Sequence, residues 1–119
     1  MPSLINRTTK TQSLTIASGA AVSDAFDMQD YAGGNLYMPA AWTAASIGFQ
    51  IAPSEGGTYL PLYDDAAAIV EIDGPSVDTA YTLPKELFAA QWVKLWSQDG
   101  AGSGTNQAAA RTVIIELKS

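Results

Sequence analysis

Apolar and polar residues alternate with a period of two in short runs along this chain. No stretch of normal helix length repeats apolar residues every three to four positions. Leu14 and Ile16 share one face of Ser13–Ala17. Val22 and Phe26 mark a second run, Ala21–Phe26, and Asn35–Met38 is a third, stopped by Pro39. Ser46–Ile51 alternates with Ile47, Phe49 and Ile51 inward, and Thr58–Tyr63 returns after the Pro53–Gly57 loop as its hairpin partner. Pro61 cannot donate to a ladder, so that strand belongs at an edge or a bulge. Ala68–Ile72, Ala80–Leu83, Gln91–Ser97 and Arg111–Leu117 complete the series. Val93 and Leu95 face one way in the penultimate run, and Val113, Ile115 and Leu117 in the last. Pro84–Phe88 reads as a single helical turn. Eight or nine short strands joined by Gly, Pro and Asp turns predict an all-β, antiparallel β-sandwich. A jelly roll is the preferred topology and an immunoglobulin-like sandwich the second.

The 119 residues leave room for one hydrophobic core. Residues 1–12 read as an extended polar arm carrying Arg7 and Lys10, either a frayed terminus, the preferred reading, or an arm that orders on a neighbour, and residues 13–119 read as one domain. With 47% hydrophobic and 15% charged residues, the composition is that of a folded chain. No apolar stretch approaches the roughly 20 residues of a membrane span, and the first residues do not read as a signal peptide. The expectation is a protein made in a cytoplasm.

Histidine and cysteine are both absent. Their absence removes the usual general base, thiolate nucleophiles, disulfides and the commonest zinc ligands. A net charge of −6 repels phosphate, which argues against nucleic-acid binding. Asp24, Asp27 and Asp30 recur every three residues, with Asp64 and Asp65 elsewhere. This spacing is not that of a calcium loop and reads as a solvated acidic face. The carboxylates are too scattered to nominate a glycosidase pair. Gly100–Gly104 lacks the lysine and the following helix of a phosphate loop, and reads as a flexible connection. The chain is therefore expected to have no catalytic residue, no metal and no cofactor.

The remaining candidates are contact residues. Trp92 and Trp96 lie on one strand face with Lys94 between them, and Trp42 lies in a loop. Large aromatics with a polar edge serve either a core or an interface. Arg111 opens the last strand after a long loop. It either pairs with a carboxylate on a neighbour or anchors that loop within the fold, the second reading being preferred.

Three stretches together carry a resemblance. They are Pro39–Gln50 with Trp42, Glu55–Asp65 with Tyr59, and Trp92–Ser97 followed by Asn106–Arg111. From Leu36 to Leu117 the pattern resembles small jelly-roll virion proteins of tailed bacteriophages, of the head decoration or cement type. Trp42, Tyr59, Gln107 and Arg111 fall on framework positions of that pattern. The resemblance implies a non-enzymatic protein on the capsid surface that binds the major capsid protein and itself, as a dimer or trimer, without nucleic acid or membrane. The competing expectation is a carbohydrate-binding or adaptor module of a tail or fibre. That module would expose Trp42, Trp92 or Trp96 along a groove. Either way, Arg7, Lys10, Trp42, Trp92, Trp96 and Arg111 are the candidate partner-binding residues.

Overall fold

A computed structural model describes residues 9–119. Nine strands form: β1 (Thr9–Ile16), β2 (Val22–Asp27), β3 (Gly33–Tyr37), β4 (Ser46–Ala52), β5 (Leu60–Pro61), β6 (Glu71–Ile72), β7 (Ala80–Thr82), β8 (Trp92–Gln98) and β9 (Arg111–Lys118). A 3-10 helix, Lys85–Ala89, follows Pro84 and buries Leu87. All strand pairs are antiparallel, and the ladder runs β5-β4-β8-β2-β1-β9-β3-β7, with β6 also on β4.

The pairing is nested. The first strand lies beside the last (β1–β9), the second beside the eighth (β2–β8), the third beside the seventh (β3–β7), and β4 beside β5 and β6. One long hairpin rolled up on itself gives this order, which is jelly-roll winding rather than the immunoglobulin alternative. The sheet curls into a half-barrel. Its corner is the single pair Ile16↔Ser23, beside the turn at Gly19, whose φ of 76° lies in the left-handed region glycine tolerates.

The two halves of the sheet close over one core. β1, β3 and β9 contribute Leu14, Leu36, Val113, Ile115 and Leu117. β2, β4 and β8 contribute Phe26, Ile47, Phe49, Val93 and Leu95, all buried. Burying each such side chain favours folding by about 2 kcal/mol. Met28, Leu83 and Leu87 join the same cluster from the connecting segments. Gly34 is required by close approach, because a Cβ there would lie 2.6 Å from the Glu116 carbonyl oxygen of β9.

The structure moves three boundaries. Residues 9–12 belong to β1 and pair with Ile115–Lys118, so the arm expected over 1–12 is strand in its last four positions. Its first eight residues, Arg7 among them, lie outside the described residues. The run expected over Thr58–Tyr63 pairs regularly only at Leu60–Pro61, on the sheet edge, as Pro61 requires. The run expected over Ala68–Ile72 shrinks to Glu71–Ile72. Asp64 accepts hydrogen bonds from the Ala66 and Ala68 amides, both 2.9 Å, and shapes that segment into a turn.

Candidate interaction surfaces

Gln107 is the polar hub at one end of the roll. It is fully buried. Its Nε2 donates to Ser97 Oγ at 2.8 Å and to the Thr43 carbonyl at 3.1 Å, and its Oε1 accepts from the Thr43 amide at 2.8 Å. Arg111 joins through Nε to Gln107 Oε1 at 3.3 Å and through an Nη to Thr43 Oγ1 at 3.2 Å. Arg111 thus anchors the 99–110 loop within the fold, through an amide and a hydroxyl. Next to Thr43, Trp42 packs on the core and donates its indole N–H to the Ala45 carbonyl at 3.1 Å. The structure therefore brings Trp42 and Arg111 together as framework.

Trp96 is buried although it points away from the main core. Its cross-strand partner is Gly48, where a Cβ would stand 3.1 Å from the indole, and Gly104 lies against the indole nitrogen. The glycine-rich segment is therefore a cover. It folds back through the Gln98↔Gly104 bridge and is tied down by Asp99, whose carboxylate accepts from the Ala101 and Ser103 amides at 2.8 and 3.2 Å. Those amides hold the Asp99 carboxyl below its ordinary range. Buried Gln98 donates to Glu71 at 2.8 Å beneath the same loop.

Trp92 opens β8 half-buried, at the other end of that strand from Ser97 and the hub. Two residues on, the Lys94 ammonium sits 4.4 Å from the centre of the Tyr59 ring, a cation–π contact on the outer side of the same half-sheet. Burial, and then the Glu55 charge, push the Tyr59 hydroxyl's pKa up. Lys10 is exposed in β1 opposite Leu117. Trp92 and Lys10 thus remain as surface residues separate from the Trp42–Arg111 cluster.

The residues 51–63 and the end of the 3-10 helix enclose an open, largely apolar groove of about 700 Å³. Ile51, Leu60, Leu62, Ala90 and Gln91 are among its walls, and Leu60 is 62% exposed at the sheet edge. Among the described residues, no three His, Cys, Asp or Glu side chains gather as a metal site.

The outer face of β1, β9 and β3 is a further surface. Tyr37 and Ile114 are direct cross-strand partners, each 39% exposed. The Tyr37 hydroxyl donates to Glu116 Oε1 at 2.8 Å, and Asn35 Nδ2 donates to the same oxygen at 3.3 Å. Tyr37 and then Asn35 hold the Glu116 carboxyl below its ordinary range, and the same bond raises the Tyr37 pKa. The sequence held one sign of this surface, since Ile114 is apolar at the outward position between inward Val113 and Ile115.

No family model matches the sequence, and no curated protein does. The fold has a solved counterpart. The crystal structure of the SPBc2 prophage-derived protein YomS superposes with a TM-score of 0.57, covering 99% of this chain and 100% of that one. At 12% identity, the two chains share architecture over their whole lengths while differing at most positions.

Proposed function

We propose that this chain is a bacteriophage structural protein, a decoration or cement protein that sits on the outside of the head and binds the major capsid protein. The observation that carries this reading is the end-to-end match of a small jelly roll to a prophage-derived protein. The polar side chains at the hub end support an adhesive role, because buried Gln107 and Gln98 and their neighbours Arg111 and Asp99 are engaged within the fold. Gln107, Arg111, Gln98 and Asp99 hold loops.

On this reading the protein is made in the host cytoplasm and works by linkage. Whatever binds only the assembled shell shifts the assembly equilibrium toward it. Many copies on a repeating lattice make weak individual contacts sufficient. The acidic body keeps the free protein soluble until it meets the shell. The reading is tested by adding purified protein to heads that lack it. Saturable binding with delayed thermal rupture of the heads is the expected result, and heads that neither bind it nor gain resistance would refute it.

A second reading, a glycan-binding or adaptor module of a tail or fibre, is favoured by half-buried Trp92 together with the Lys94–Tyr59 pair on one outer surface. It predicts a tryptophan fluorescence change with oligosaccharide that Trp92→Ala removes.

A further inference from the structure

The two ends of the roll differ. Gln107 and Arg111 close one end with polar contacts. At the other end the register sets Thr9 beside Lys118, and sets Asp27 and Ala52 on either side of Trp92. The apolar groove opens there, because Ile51 and Ala52 finish β4 and Gln91 immediately precedes β8. The start of β1 and the groove therefore share one end of the molecule.

A continuous floor joins them. The Ala32 amide donates to the Lys118 carbonyl at 2.8 Å, and the Met28 amide donates to the Gln91 carbonyl at 2.7 Å. Residues 28–32 thus run from beside the start of β1 to the groove wall. In the ladder β8 stands two places from β1, a separation of about 10 Å. Ile5 and Leu4 stand four and five positions before Thr9, and extended chain of that length reaches about 13–17 Å.

The chemistry of residues 1–8 suits that route. Leu4 and Ile5 are an adjacent aliphatic pair, and the groove offers Ile51, Leu60 and Leu62. Arg7 is the one charged side chain of the eight, and Asp27 and Asp30 flank the floor. Gln12 lies on the inward side of β1, opposite Ile115, and its buried Oε1 has no hydrogen-bond partner. A buried acceptor left single is costly, and chain turning inward under this end brings amide donors toward it.

We infer that the groove is the seat of this chain's own N-terminal segment, with Leu4 and Ile5 against Leu60 and Leu62. Tethering selects the occupant. A segment joined to Thr9 meets the groove at the effective concentration of a short linker, on the order of millimolar, and a free partner with equal contacts does not match that. The seated segment also covers Leu60, which is 62% exposed at the sheet edge. The inference goes beyond the virion reading and does not depend on it.

The chain has no cysteine, so an introduced pair reports contact without background. Ser3→Cys with Thr58→Cys places one thiol beside Leu4 and one on the groove wall, leaving the aliphatic seat intact. Mild oxidation of the full chain should give a disulfide within the monomer, read by mass spectrometry and non-reducing electrophoresis. Adding Leu4→Ser and Ile5→Ser should slow its formation roughly tenfold or more, because the thiols then meet only through the tether. Circular dichroism checks that the sheet is intact in both variants. Oxidation indifferent to Leu4 and Ile5, whatever its rate, would overturn the inference and leave the groove to a different protein. A disulfide between two chains would overturn it in favour of a second copy's segment. Shell binding can survive either outcome, which separates this failure from failure of the virion reading.

Discussion

Gln107 joins three parts of the chain through one buried amide, since its partners sit in the 39–45 loop, in β8 and at the start of β9. Gln107→Ala leaves the Thr43 amide and Ser97 hydroxyl without partners in a buried site. It should cost about 2–3 kcal/mol in urea denaturation, against about 1 kcal/mol for Arg111→Ala. Asp99 and Glu116 contribute to the response to acid. Their folded-state pKa values lie below the ordinary 3.8 and 4.5, through backbone amides at Asp99 and through Tyr37 and Asn35 at Glu116. Their stabilising effect is therefore complete above those ordinary values and is lost as pH falls through the depressed ones. Thermal melts from pH 6 downward should show a falling Tm, and Asp99→Asn together with Glu116→Gln should flatten the acid limb. At this scale, the sequence announced Arg111 as a loop anchor because a lone arginine beside a long loop has few other uses. The resemblance put Gln107 on a framework position, but its partners were not legible, because an amide's partners are set by tertiary placement and leave no periodic trace.

Between strands, the glycines show which contacts are close. A Cβ at Gly34 meets a backbone carbonyl of β9, which cannot swing aside as a side chain can, so Gly34→Ala should destabilise by about 2–3 kcal/mol. Trp96 is enclosed between Gly48 and the 99–105 loop. Trp96→Ala should cost about 3–5 kcal/mol, well above the loss for half-buried Trp92→Ala. Removing residues 1–12 takes away four of the eight β1–β9 pairs and should lower Tm, whereas removing residues 1–8 leaves that ladder whole. Alternation made most strands legible, since Ile47/Phe49/Ile51 and Val113/Ile115/Leu117 can each satisfy one buried face only as strand. It could not show that Trp96, on the outer side, would be covered. A glycine-rich loop looks the same in sequence whether it hangs free or packs down on an indole.

Across the whole molecule, nested pairing is what makes nine short strands one body, and short-range pattern is silent about it.

 The register Thr9↔Lys118 through Ile16↔Arg111 closes the roll by setting the first strand against the last, and inward Leu14, Val113, Ile115 and Leu117 of that pair enter the shared core.

The most direct measurement of the virion reading is cryo-electron microscopy of the assembled particle, with this chain located in the density. The account predicts a jelly roll on the outer surface of the head, seated on the major capsid protein and repeated across the lattice. A particle whose head carries no such density, with the chain found only in the tail or not in the virion at all, would contradict it.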